Sequence, residues 1–358
     1  MLLLLLAGQA YAVETDEILQ SQADALELDD LQRAAKEYAP DVDWTEAQDL
    51  NSGLADLLET GTGSLHGVVK RALRSAVLLL AIALLSSLAE GAAVCGTGRT
   101  LQATPVAAAL AITAVAVADA NTLIGLGSEV LEKMELFSKV LLPTVAAATA
   151  ASGSPGGAAA RQLAAMLFSD LLMSLINRLL LPLVYAYIAA CTAYAALGNE
   201  GLKRIAATLK WVVTSILTTV LLAFVGYLTV SGVIAGSTDA LTIKAAKFTV
   251  SSMVPVVGGI LSDASETVLA GASILKNSVG VFGMLVVLGM CIVPFLQLGV
   301  HYLMYKFTAA LSATVADSRT TGLIDGIGGA FGLVLGMTGA CALLLLVSLV
   351  SAVTVVSP

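Results

Sequence analysis

The stretch FSDLLMSLINRLL, residues 168–180, places Asp170, Ser174, Asn177 and Arg178 at i, i+4, i+7 and i+8, one face of a helix in an otherwise apolar segment. Ionisable groups at lipid depth are costly. Such a face either lines a hydrophilic crevice or ties neighbouring helices together. A second stretch, VPVVGGILSDASETVLAGASILKNSVGVFG, residues 254–283, sets Asp263, Glu266 and Lys276 among small residues that include Gly258 and Gly259. Small side chains let helix backbones approach closely, which suits a re-entrant hairpin or a tightly packed broken helix.

Catalytic arrangements are missing. The two histidines, His66 and His301, have no acidic or cysteine neighbour at useful spacing, and a core or interfacial role fits them better than a ligand or general base. Cys95, Cys191, Cys291 and Cys341 are far apart with no CxxC pair, so zinc, iron–sulfur and disulfide frameworks lack support. Walker A, GxSxG and HExxH patterns are absent, and any ATP hydrolysis belongs to another subunit.

The elements that hold these residues are read from where charge is missing. Of 358 residues, 58% are hydrophobic and 12% charged, against about a quarter charged in a soluble domain. Five runs lack Asp, Glu, Lys and Arg, namely 100–118, 179–199, 211–238, 277–305 and 326–358. Segments 75–89, 140–160, 248–262 and 162–177 are shorter, broken or interrupted. A bilayer needs about 20 apolar residues per helix, which predicts about six to eight membrane segments. The runs are continuous rather than alternating, which disfavours a β-barrel. The expected fold is all-α, a polytopic transmembrane bundle with broken or re-entrant helices and a small acidic extracytoplasmic N-terminal segment.

The net charge of −8 is unevenly spread. Residues 14–60 carry fourteen acids against Arg33 and Lys36, a net of −12, and the rest of the chain is +4. The start, MLLLLLAGQAYAVETDE, offers an apolar h-region and a small-x-small cleavage site at Ala10 and Ala12, without a basic n-region. Residues 1–12 are expected to be a signal peptide, 13–64 an acidic helical head and 65–358 the membrane domain. In the head, Ile18, Leu19, Ala23, Leu26 and Leu31 recur at roughly helical spacing up to Pro40, and a second short helix follows from Thr45 through Leu58. An acidic head does not suit nucleic acid, whose phosphates need Lys and Arg. Lys70, Arg71 and Arg74 precede the first membrane segment and argue for a cytoplasmic start, whereas the signal peptide argues for export. Export is favoured, and the basic loop with Lys203, Arg204 and Lys210 is placed in the cytoplasm.

Prolines punctuate the body. Pro182 and Pro294 read as ordinary kinks. Pro143, followed by Gly153, Gly156 and Gly157, reads as a helix break, and so does Pro255 with Gly258 and Gly259. An offset of 112 residues superposes Pro143 on Pro255 and Pro182 on Pro294, a candidate internal repeat of about 100–210 on 211–320.

Residues 254–283, with LLPTVAAATAASG at 141–153 and an acidic head before a polytopic body, resemble the stage III sporulation protein AE family of endospore-forming bacteria. That resemblance implies a multi-pass protein of the mother-cell membrane around the forespore, without catalytic residues or cofactor. It implies work beside a secretion-type ATPase, small membrane subunits, ring-forming proteins and a forespore-side partner, in a conduit that supports forespore development after engulfment. The alternative from the residues themselves is a stand-alone secondary transporter with its site at the broken helices.

Overall fold

The computed structural model describes residues 28–40, 42, 50–96, 103–152, 155–253 and 258–354, and every regular element among them is helical. A short helix α1 (Leu28–Tyr38) precedes α2 (Leu50–Gly96) and α3 (Ala103–Ala151). Helix α4 (Pro155–Leu175) passes through a π-helical turn (Ile176–Leu180) into α5 (Leu181–Leu197). Then follow α6 (Glu200–Met253), α7 (Gly258–Ser312) and α8 (Ser318–Thr354). Six of the described stretches are long and apolar enough to cross a membrane: Ser52–Gly91, Val106–Ala151, Ala164–Leu197, Glu200–Tyr227, Ser273–Ser312 and Ser318–Ser351. At 1.5 Å per residue the 49-residue α3 is about 74 Å long, well over twice the hydrocarbon thickness.

Neighbour pairs fix the direction of each helix. A Cβ built on Gly53 or Gly61 of α2 meets Leu285 or Ile292 of α7, so these two run parallel. Along α3, Tyr305 bonds Asp119, Gly127 faces Leu298, and Leu141 faces Gly283, so α3 and α7 are antiparallel. Gly127 also faces Val334, and Leu349 joins Leu141 at Gly283, which makes α3 parallel to α8. On α8, Gly326 and Gly329 face Cys191 and Tyr187 of α5, while Gly336 faces Leu217 of α6. The six long stretches therefore alternate up and down, with α8 touching α3, α4, α5, α6 and α7.

Turn chemistry closes the described connections. Gly198 adopts φ 67°, the left-handed region that favours glycine, and its N–H caps Tyr194 O at 2.8 Å. Asn199 then accepts from Gly201 N through its side chain at 2.8 Å and starts α6. Asp317 does the same for α8, accepting from Arg319 N at 3.1 Å.

Pro143 does not break the chain. It lies inside α3, which continues to Ala151, so residues 140–160 are the end of one helix and the start of the next. Proline removes one amide donor, and nearby hydroxyls bond carbonyls on either side: Ser138 to Glu135 O (2.8 Å), Thr144 to Val140 O (2.9 Å) and Thr149 to Val145 O (2.7 Å). The carbonyl that loses its helical donor to Pro143 is Lys139 O, and these hydroxyls bond its neighbours rather than that atom. In the one pair of the proposed proline repeat described on both sides, the local structure differs: a π turn precedes Pro182, while Pro294 lies inside α7.

The head is joined to the body more closely than a boundary at residue 64 suggests, because α2 runs through it without interruption. Helix α1 buries Leu28, Leu31 and Ala35 and keeps its two first-turn acids and Lys36 outside, each sign at the end that the helix dipole favours. Just past it, Ala39 and Val42 pack over Gly289 in the middle of α7, beside a cavity of about 220 Å³ that also reaches Thr60, Glu129 and Lys133.

Helix α7 approaches α8 closely enough for backbone to meet backbone. A Cβ on Gly328 would sit 2.9 Å from the Tyr305 Cβ and 3.5 Å from the Lys306 amide nitrogen, so neither can give way cheaply. Gly328→Val should destabilise the detergent-solubilised protein by about 1–3 kcal/mol or more, read as a lower thermal midpoint. An unchanged midpoint would mean the two helices are not in this contact.

Candidate functional site

Charged groups gather along α3. Toward α4, Lys139 Nζ donates to Glu135 Oε1 at 2.8 Å, and nearly two turns earlier, beside the cavity under the head, Lys133 pairs with Glu129 at 2.8 Å. An open crevice of about 350 Å³ holds Glu135, Ser138, Lys139, Ser169 and Asp170. Exposed pairs at i, i+4 contribute only about 0–1 kcal/mol, so their consequence is polarity rather than stability. Asp170, Ser174, Asn177 and Arg178 all come out exposed, on the outside of the bundle, with Leu167 and Leu171 beside them.

The π turn lies within this face. The Leu181 N–H reaches back to Ile176 O, one residue further than an α-helix allows, and Pro182 has no N–H to give. The widened turn absorbs the missing donor and leaves Asn177, Arg178 and Leu179 exposed in succession. This turn is a feature the sequence reading missed, and a proline immediately after Asn-Arg-Leu-Leu-Leu was its only signal.

Of the second group, Lys276 is interior, only 1% exposed. Asp263, Glu266, Gly258 and Gly259 fall in the first turns of α7, and Gly156 and Gly157 in the first turn of α4. Ala10, Ala12, Gly153 and Pro255 lie outside the described residues. His301 is a core residue: its Nδ1 lies 2.8 Å from Gln297 O and its ring meets Phe331 edge-on. Among the described residues no group of three or more His, Cys, Asp or Glu side chains could hold a metal ion.

Two further polar contacts cross between helices. Fully buried Tyr305 donates its hydroxyl to Asp119 Oδ2 at 2.7 Å, and Lys306 bonds Asp325 at 2.7 Å. Lys203, Arg204, Lys210, Lys306 and Arg319 all lie toward the end of the bundle that holds the Gly198 and Asp317 turns. The α3 charges were passed over in the sequence as interruptions between apolar runs. Their i, i+4 pairing, Glu129 with Lys133 and Glu135 with Lys139, was the legible signal.

The Tyr305–Asp119 bond is testable as a coupling. Tyr305→Phe and Asp119→Ala should each lower thermal stability, and the double variant should fall short of their sum by about 0.5–3 kcal/mol. Additive losses would show that the two side chains do not interact.

The family model described as stage III sporulation protein AE matches residues 47–356. The chain is similar to the stage III sporulation protein AE of Bacillus subtilis (strain 168), with 27% identity over 190 residues, 52% of this chain and 47% of that protein. The aligned part thus spans about half the length of the curated relative. No solved structure matches. A match that runs from the start of α2 through the end of α8 takes in the whole described bundle, and the chain belongs to the stage III sporulation protein AE family.

Proposed function

We propose that this chain is a non-enzymatic, multi-pass membrane subunit of a conduit between mother cell and forespore, required for forespore development after engulfment. In this reading it lies in the mother-cell membrane around the forespore and assembles with an ATPase, small membrane subunits, ring-forming proteins and a forespore-side partner. Membership in a sporulation family supports the setting. The observation that carries the rest is the packing of the described part of the head on the body: α1, Ala39 and Val42 lie against α3 and the middle of α7.

Helix parity supports the orientation. Three crossings, α2, α3 and the α4–α5 stretch, separate the head from the basic turn at 198–210. Basic loops stay in the cytoplasm, which sets the N-terminal end of α2, and the chain that leads into it, on the side of the space between the two membranes. The exposed Asp29, Asp30 and Glu37 of α1 are available to other subunits from that side.

Deleting the gene in its host should block sporulation after engulfment is complete, scored as heat-resistant spore titre together with microscopy of engulfed forespores. Full-titre spores would overturn the conduit reading. Solute uptake by the purified chain alone in liposomes would favour a stand-alone transporter instead. A reporter fused at Gly201 is expected in the cytoplasm and one at Pro40, ahead of α2, outside it, and the reverse pattern would overturn the orientation.

A further inference from the structure

The two flanks of the bundle differ sharply at one and the same depth. Gly127 of α3 faces Val334 of α8, and two residues further along α8 Gly336 faces Leu217 of α6, so Gly127 and Leu217 are nearly level. At the other end of this interval Phe168 stacks near Phe224 and Tyr227 of α6, at 5.3 and 6.3 Å between ring centroids, while Asp170 two residues on shares a crevice with Lys139. Residues 217–227 of α6 and 127–139 of α3 thus mark the same slab of the protein.

On the α6 side this slab is apolar and open to its surroundings. Leu222 is 67% exposed, and Val225, Tyr227 and Val230 are exposed with it, in a run without charge from 211 to 238. That is what lipid contact requires.

On the α3 side the slab is polar. Asn121, Thr122, Glu129, Glu132 and Lys139 are exposed and share one helical face with Gly125 and a single large apolar residue, Leu136. The opposite face, Leu123, Ile124, Leu131, Met134 and Phe137, is buried in the core. From 121 to 139 this polar face extends about 27 Å, close to the hydrocarbon thickness of a bilayer. Helix α1 borders it with exposed Asp29, Arg33, Lys36 and Glu37, and α4 extends it through Asp170 and Ser174. Helices α7 and α8 between the flanks carry no charge from 283 to 298 and from 334 to 349. A bilayer placed to suit α6 therefore brings ionised α3 side chains to lipid depth, and charges there face a bundle interior or a water-filled cavity.

We infer that the flank formed by α1, the 121–139 face of α3 and the Asp170–Ser174 edge of α4 faces water across the membrane, as one wall of an aqueous passage for hydrated polar solutes. This assignment rests on the conduit reading, since a single bundle supplies one wall and other subunits must close the passage.

Single cysteines test it in the full chain, in membranes of the sporulating host. Cys191, Cys291 and Cys341 are buried, and Cys95 is changed to Ser. Thr122→Cys, Glu132→Cys, Lys139→Cys and Ser174→Cys compare the polar flank with Leu222→Cys and Val230→Cys on α6. A charged, membrane-impermeant methanethiosulfonate is applied to opened membranes. The thiolate that reacts forms in water, so flank positions should label at least about tenfold faster than α6 positions. Four exposed flank positions keep the test open if one variant fails to accumulate. Equal rates, faster α6 labelling, or a flank shielded from both this reagent and an apolar maleimide would overturn the assignment. Spore titre separates the two readings: a flank that fails to label in a host whose deletion strain still blocks sporulation removes the water-facing wall alone. A flank that labels while the deletion strain sporulates normally removes the conduit alone.

Discussion

The packing of α7 against the glycines of α8 is the constraint on which the rest of the bundle depends. Tyr305 lies over Gly328 and Tyr302 over Gly332, with Phe295 over Gly339 one and two turns further along. Phe331 then meets Tyr305 edge-on at 4.9 Å. Without these gaps two apolar helices of this length would be held apart by their own side chains, and in lipid no hydrophobic force would draw them closer. Three further α8 glycines receive α5 and α6, Gly326 taking Cys191, Gly329 taking the Tyr187 hydroxyl and Gly336 taking Leu217. Helix α8 is thus a spine whose bare backbone lets three other helices share one axis, with Met173 of α4 reaching Cys341 at 3.7 Å.

A spine of this kind sets depth. Once α3 and α6 are both registered against α8, their outward faces are level whether or not their chemistry agrees, and here it does not. One faces outward with Leu222 and Val230, the other with Glu129, Glu132 and Lys139. The ion pairs along α3 stay outside the core, where they add little to stability. The buried hydroxyl of Tyr305 instead bonds across helices to Asp119. Polarity is therefore distributed by flank, and the bundle reads as a piece of a wall rather than a closed container.

Much of this was legible in the sequence. Charge-free runs at 179–199, 211–238, 277–305 and 326–358 anticipated α5 to α8, and the acidic head with its helical spacing anticipated α1. His301 as a core residue followed from its lack of partners. What failed was the use of single residues as boundaries. Pro143 looked like a break because proline removes a donor, yet it removes only one from a 49-residue helix, and α3 passes through. Pro182 looked like a plain kink, and the chain answered it with a π turn that no local composition announces. The polar face of α3 stayed hidden for a different reason. Its residues are periodic, but Glu129 to Lys139 separate two apolar runs, and a reading built on apolar runs treats separators as loops. The flank emerges only when α3 and α6 are set at one depth, which is a tertiary fact.

Cryo-electron microscopy of the assembled complex in a lipid disc measures the arrangement most directly, because it shows lipid belt, neighbouring subunits and solvent around each helix at once. The account predicts acyl-chain density against α6 at Leu222 and Val230, and a solvent-filled space in front of α3 at Glu132 and Lys139, bounded on its far side by other subunits. Acyl-chain density packed along the 121–139 face of α3, with no solvent in front of it, would contradict it.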